Sequence, residues 1–148
     1  MDRSLARLEG WRMSSPSFWL AVALAAFMLF LGVRGLLLPD QAAHGFGLPL
    51  LDGDSHWLRI KAGRDLSVGL AIAALLGLRM RPALGVLLLA GALIPLLDCI
   101  VSVANPSGHV GYALAVHGTA AMFTFGLGVA LLRAPRRFRV ADAQREAS

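Results

Sequence analysis

Charge is scarce in this chain. Of its 148 residues 16% are charged and 57% hydrophobic, whereas a soluble domain carries about 25% charged residues. So few water-facing side chains exclude an ordinary soluble enzyme and a disordered chain. Cysteine is nearly absent too. Cys99 stands alone, cannot form an internal disulfide, and so excludes a disulfide-stapled secreted module while leaving the redox compartment unreadable. There is no phosphate-binding glycine loop, zinc motif or serine-hydrolase elbow. No internal repeat or low-complexity linker is visible. With no cofactor motif, the expected chemistry uses no nucleotide, haem or metal.

The apolar residues are gathered into four blocks, at about 18–38, 57–78, 82–104 and 110–132. Each is long enough to cross a hydrocarbon layer about 30 Å thick at about 1.5 Å per residue. The first block is too long for the apolar region of a signal peptide, contains Arg34 and lacks a small-x-small cleavage site, so it reads as a retained span. The expected fold is all-α: one integral membrane, up-down four-helix bundle over residues 1–148, with basic tails at 1–16 and 133–148. Short links between spans two and three, and three and four, make those helices antiparallel neighbours.

Basic residues orient the bundle. Arg3, Arg7 and Arg12 precede span one, Arg79 and Arg81 lie between spans two and three, and Arg133, Arg136, Arg137, Arg139 and Arg145 follow span four. Ten of the fourteen basic residues thus share one side. The opposite side holds the 40–56 loop, with Asp40, Asp52 and Asp54, and the Asn105–Gly108 turn. The positive-inside rule then puts both termini in the cytoplasm. The net charge of +5 is mostly this topology signal, with the last arginines suited to anionic lipid headgroups. It is not a nucleic-acid signal. Trp11 and Trp19 are expected at the inner interface, and Trp57 and Tyr112 at the outer one. The 40–56 loop, with Gly45, Gly47, Pro49 and Gly53, is expected to be mostly turns. Asp54 or Ser55 is expected to cap the following helix. A composition rich in alanine, leucine, glycine and arginine fits the inner membrane of a high-GC bacterium.

The remaining ionisable residues lie within the apolar blocks, where each costs at least about 2.5–3.5 kcal/mol at the bilayer centre. Arg34 lies five residues before Pro39, roughly 7 Å down, and Asp98 and His117 are each roughly 10 Å from the end of their span. Arg64 and Asp65 lie roughly 10–12 Å after Trp57. One polar level in the outer half of the membrane is therefore fed by all four spans. Lys61, Arg64 and Asp65 share one face at i, i+3, i+4. Asp98, Ser102 and Asn105 form a rising polar stripe, and Pro95 predicts a kink or widened cavity one turn below Asp98. A satisfied ion-pair network that only fixes helix order is the structural alternative. An excess of cations over carboxylates, with a histidine beside them, points instead to room for an anionic or carbonyl-bearing guest.

Other residues carry less. Asp52, Asp54 and His56, with His44, fit turn and cap roles better than a metal loop. Cys99, about 100° round the helix from Asp98, reads as packing.

The run Gly45-Phe46-Gly47-Leu48-Pro49, then Lys61-x-x-Arg64-Asp65-x-x-x-Gly69, Asp98 and His117-Gly118, resembles a bacterial and fungal family of small four-span membrane proteins. That family is catalogued as a domain of unknown function and is similar in layout to DoxX-like proteins. The resemblance covers roughly residues 20–132. It implies a four-helix membrane bundle and brings no established activity, although fungal relatives near natural-product pathways hint at lipophilic substrates.

Two functions fit. One is cofactor-free acid–base chemistry, of isomerase or cyclase type, on a lipophilic small molecule. Asp98 and His117 are then the catalytic pair, and Arg34, Lys61, Arg64, Asp65, Ser102 and Asn105 hold the substrate. The other is a non-enzymatic lipid- or quinone-binding subunit of a membrane complex, or a small proton-coupled carrier. Membrane lipid, a lipophilic ligand and a second copy or a membrane-complex subunit are the partners these readings imply.

Overall fold

A computed structural model describes residues 11, 13–48, 55–105 and 109–133, and these are helical, with no strand among them. Five helices follow one another: α1 (Pro16–Leu37), α2 (Pro39–Phe46), α3 (His56–Gly77), α4 (Arg81–Ala104) and α5 (Val110–Arg133). Three of them, α1, α4 and α5, are long and apolar enough to cross a membrane. α3 equals α1 in length but carries Arg59, Lys61, Arg64 and Asp65 in its first three turns, which sets it apart by composition.

Local chemistry fixes the ends. Ser15 caps α1 by accepting from the Phe18 amide, and Pro16 occupies the first position, where its missing N–H costs nothing. Ser55 stands at the start of α3 without a side-chain cap bond, and Asp54 lies outside the described residues. α3 ends in a tight turn in which the Met80 and Arg79 amides reach back to the Leu75 and Leu76 carbonyls. Arg79 therefore adopts φ 54°, a left-handed conformation unusual for a side chain with a Cβ.

The expectation of turns over 40–56 is corrected at its start. Residues 39–46 form α2, which closes on Gly47 at φ 90°, a conformation glycine reaches freely. Trp11 is corrected as well. It is 3% exposed and packs edge-on against Phe18 in the core, so its ring does not lie free at an interface. Most of the arginines that orient the chain (Arg3, Arg7, Arg12, Arg136, Arg137, Arg139 and Arg145) lie outside the described residues.

The bundle is two tight pairs. α1 packs chiefly on α3, and α4 chiefly on α5, while α3–α4 and α1–α5 meet sparsely. Small residues make the tight pairs possible. A Cβ on Gly32 would stand 2.8 Å from the Leu66 backbone nitrogen, and one on Gly69 would stand 2.9 Å from that of Leu29. Gly85 and Gly128 face each other in the second pair, where a Cβ on either would come within 3.3 Å of the other's carbonyl oxygen. Where hydrophobicity cannot drive helices together, such close backbone approach is the main source of association.

The two pairs share an apolar core at one end only. Trp11, Leu24, Ile72, Leu76, Leu84, Leu88, Leu127 and Leu131 form a core where α3 turns into α4. At the other end the pairs stand apart, and both helices of the second pair lose regularity. α4 is interrupted at Ala92, where Pro95 offers no amide to the Gly91 carbonyl and the Leu96 amide reaches Ala92 at a long 3.3 Å. That interruption sits where the proline predicts it. α5 contains a π turn over Leu114–Gly118, a feature frequent at functional sites. Outward, Trp19, Leu37, Ile60, Leu70, Leu97, Met122 and Phe125 are more than half exposed, an apolar belt of the kind that faces lipid.

Gly32→Ala and Gly69→Ala should each lower unfolding free energy in detergent by about 1–3 kcal/mol. Gly63→Ala, with nothing within 4 Å of the added carbon, should leave it unchanged or raise it by up to about 1 kcal/mol. Denaturant titration of the three variants checks this.

Candidate functional site

Between the pairs, above the apolar core, lies a cavity of about 680 Å³, within the range of about 300–1,000 Å³ typical of small-molecule sites. Its walls are apolar, from Leu24, Phe27, Leu31, Val68, Ile72, Leu88 and Phe123. Its polar groups are Arg34 from α1, Lys61 and Asp65 from α3, Asp98 from α4, and Tyr112, His117, Thr119 and Thr124 from α5. Five of the eight residues singled out by sequence thus line it, from all four long helices, and a sixth, Arg64, joins through its ion pairs.

Asp65 is the most buried charge, its side chain 5% exposed. Two cations on its own helix hold it: Lys61, one turn earlier, donates to Oδ2, and the Arg64 guanidinium stands 3.5 Å from Oδ1. Arg64 then turns across to α4 and donates from Nη2 to the Asp98 carboxylate at 3.0 Å. Lys61, Asp65, Arg64 and Asp98 form one continuous chain of opposite charges, and its Arg64–Asp98 link ties the first helix pair to the second. Arg64 is not itself a lining residue. Its Nε is buried with no hydrogen-bond partner among the described residues, because Asp65 offers it charge without the geometry of a bond.

His117 is buried and anchored from a different direction. Its Nε2 lies 3.0 Å from the Phe46 carbonyl at the end of α2, and its ring leans on the Phe46 ring, 4.5 Å between centroids. A carbonyl can only accept, so the proton of that bond sits on Nε2, and Nδ1 is the nitrogen free to take another. Asp98 and His117 line the same cavity, but no hydrogen bond joins them among the described residues. Each has its own partner.

The short helix α2 is held over the polar end of the cavity through its carbonyls. Arg34 donates to Gln41 at 2.8 Å, Tyr112 donates from its hydroxyl to Gly45 at 2.9 Å, and His117 takes Phe46. The Gly45 and Phe46 carbonyls lie at the C-terminus of α2, where carbonyls lack intrahelical donors and carry partial negative charge, which suits Tyr112 and His117, while Arg34 reaches the Gln41 carbonyl earlier in the helix. Gly45 lies close against Arg34. A Cβ there would stand 3.1 Å from the Arg34 guanidinium. Phe46 completes the corner, with Lys61 5.1 Å above its ring and Trp57 against its edge.

Ser102 and Asn105 do not line the cavity. Ser102 is buried, its hydroxyl without a partner among the described residues, and Asn105 ends α4. Sequence reasoning placed Tyr112 at an interface and passed over Phe46, Thr119 and Thr124. Tyr112 and His117 are five apart, which puts them about 140° apart on an ideal helix. The π turn between them, with its carbonyls at Ala115 and Val116 taken by the Thr119 hydroxyl, lets both line one cavity. No metal-binding cluster occurs among the described residues. Asp52 and Asp54, weighed as metal ligands, lie outside them.

The charge chain predicts energetic coupling. A double-mutant cycle of Arg64→Gln and Asp98→Asn should return about 0.5–3 kcal/mol of interaction energy. A cycle that closes to zero would show that the two helices are not tied there.

Comparison with known proteins adds one match. The family described as a domain of unknown function (DUF4267) matches residues 25–131, a span that holds every lining residue except Ala23 and Leu24. No curated protein and no solved structure matches the chain.

Proposed function

We infer that this chain, which belongs to the DUF4267 family of domains of unknown function, receives a lipophilic small molecule in the cavity between its helix pairs and moves a proton on it. The observation that carries this reading is a cavity with apolar walls and, at one end, an anchored imidazole beside cations. In this reading α3 is the fourth span, the layout is the DoxX-like one, and the arginine distribution puts both termini in the cytoplasm of a bacterial cell, with the cavity in the outer half of the inner membrane.

The chemistry is an isomerisation or cyclisation without a cofactor. His117 Nδ1 takes a proton from a carbon next to a carbonyl, and the electron pair moves onto the carbonyl oxygen. Arg34 neutralises the charge that develops there. Returning the same proton to another carbon completes the shift, so nothing is oxidised or consumed. Nε2 stays tied to Phe46 throughout, which keeps the ring in place. The Asp98 carboxylate, matched to Arg64, balances the imidazolium between the two transfers. Lys61 and Asp65 hold Arg64 and the α2 corner in position.

One observation favours the second reading, a lipid- or quinone-binding subunit. The four charges from Lys61 to Asp98 already satisfy one another, as a structural network would. The same cavity then serves binding alone, with a membrane-complex partner or a second copy. A proton-coupled carrier is the weakest alternative, because the core beneath the cavity, with Ile72, Leu84 and Leu88 fully buried, offers no polar path.

Native mass spectrometry of gently solubilised protein tests the site. Wild type should carry a lipophilic molecule that is lost in Ala120→Trp, which fills the cavity, and depleted in Asp98→Asn. Incubated with that molecule, wild type should convert it, and His117→Ala should slow conversion by about 100-fold or more. Binding without conversion would establish the subunit reading, and equal spectra without ligand would contradict both.

A further inference from the structure

We propose that the molecule taken up carries a single negative charge on its head, and that it reaches the cavity sideways from the bilayer, between α1 and α5. This deepens the small-molecule reading above and rests on it.

The charge follows from how the cluster is spent. Arg34, Lys61 and Arg64 supply three formal positive charges around the polar end, and Asp65 and Asp98 supply two negative ones. Arg64 is committed to Asp98 and Asp65, and Lys61 to Asp65. Arg34 is the remainder. It lines the cavity, is half-buried, and has no carboxylate partner among the described residues. Its hydrogen bond there is to the neutral Gln41 carbonyl. A guanidinium has five donors in a planar fork suited to two oxygens of one head. In an apolar setting an uncompensated cation is costly, and a guest bringing one ionised oxygen acid, a carboxylate or an enolate, removes that cost. A dianion would leave the site one charge over.

The route follows from where the lining is open. Among the cavity's lining residues on α3 and α4 none is exposed. The exposed ones on the long helices all lie on α1 and α5: Ala23, Phe27 and Phe30, and Tyr112, Val116, Thr119 and Phe123. These two helices also meet sparsely. The seam is therefore a mouth along the bundle's side, edged by Phe27, Phe30 and Phe123, which are 50%, 56% and 42% exposed. Along α1 it runs from Arg34 to Ala23, roughly 16 Å. A head at Arg34 lets an extended hydrocarbon tail lie along this seam, its far end against the lipid. Charge at one end and phenylalanines at the other fit a single-chain amphiphile.

The test uses the full chain in nanodiscs of phosphatidylcholine with two photoreactive probes: hexadecanoic acid bearing a diazirine near its methyl end, and the methyl ester of the same compound. After illumination, labelled residues are mapped by peptide mass spectrometry. The acid should label α1 around Phe27 and Phe30 and α5 around Phe123, and the ester at least about ten-fold less. Arg34→Lys should keep the preference for the acid and Arg34→Gln should abolish it. Ala120→Trp, which narrows the seam without touching Arg34, should suppress labelling by both probes. Competition by unlabelled hexadecanoate alone assigns a free acid, and competition by phosphatidylglycerol as well assigns a singly charged lipid headgroup. Equal labelling by acid and ester overturns the charge and leaves the small-molecule reading standing. Labelling confined to the outer faces of α3 and α4 overturns the route. No specific label from either probe, on folded protein, overturns both this proposal and the reading beneath it.

Discussion

A carboxylate buried among apolar helices must be compensated where it stands, and Asp65 sets that demand for this bundle. Its two cations lie on its own helix, at i−4 and i−1, so α3 could satisfy it alone. Arg64, however, is shared. By reaching Asp98 it fastens α3 to α4 across an interface where the helices pack sparsely, and the apolar core beneath does the same at the other end. Between these two fastenings the helix pairs stand apart. The cavity is the space that a bundle pinned at two levels leaves open.

The irregular features of the backbone gather at that space. Pro95 interrupts α4 below Asp98, and the π turn of α5 carries His117. The three carbonyls that hold α2 over the cavity are bonded by side chains from α1 and α5. Each feature costs local regularity, and irregular backbone inside a membrane is tolerated where it lines a cavity or is buried in protein. A bundle built only for helix order would have no need of them. Their coincidence at one level is the physical argument for a site over a mere ion-pair network.

Much of this was legible in the residues. The four apolar blocks coincide with the four long helices, three of them long and apolar enough to cross a membrane, and the Lys61, Arg64, Asp65 face was readable because helical spacing is rigid. The interruption of α4 follows from proline chemistry at Pro95. What could not be read depends on contacts between distant segments. α2 is short and glycine-containing, so composition argues for turns, and two of the three side chains that hold its carbonyls, Tyr112 and His117, lie far along the sequence. The π turn breaks the 3.6-residue period on which face assignment rests, so the cavity that Tyr112 and His117 share was not readable. Ser102, one turn above Asp98 on the polar stripe, is buried outside the cavity. The pairing of α1 with α3 through Gly32 and Gly69 was likewise hidden, since glycine in a helix signals close packing only once its neighbour is known.

In the proposed reading the polar level surrounds an occupied cavity and is not a closed network. An experimental structure of the protein extracted with its native lipids tests it most directly. The account predicts elongated density running from Arg34, past His117, to the seam edged by Phe27 and Phe123, with Arg64 still on Asp98. A bundle in which α1 and α5 close on each other, Phe27 packs against Phe123 and Arg34 has turned to a carboxylate of its own chain would contradict it.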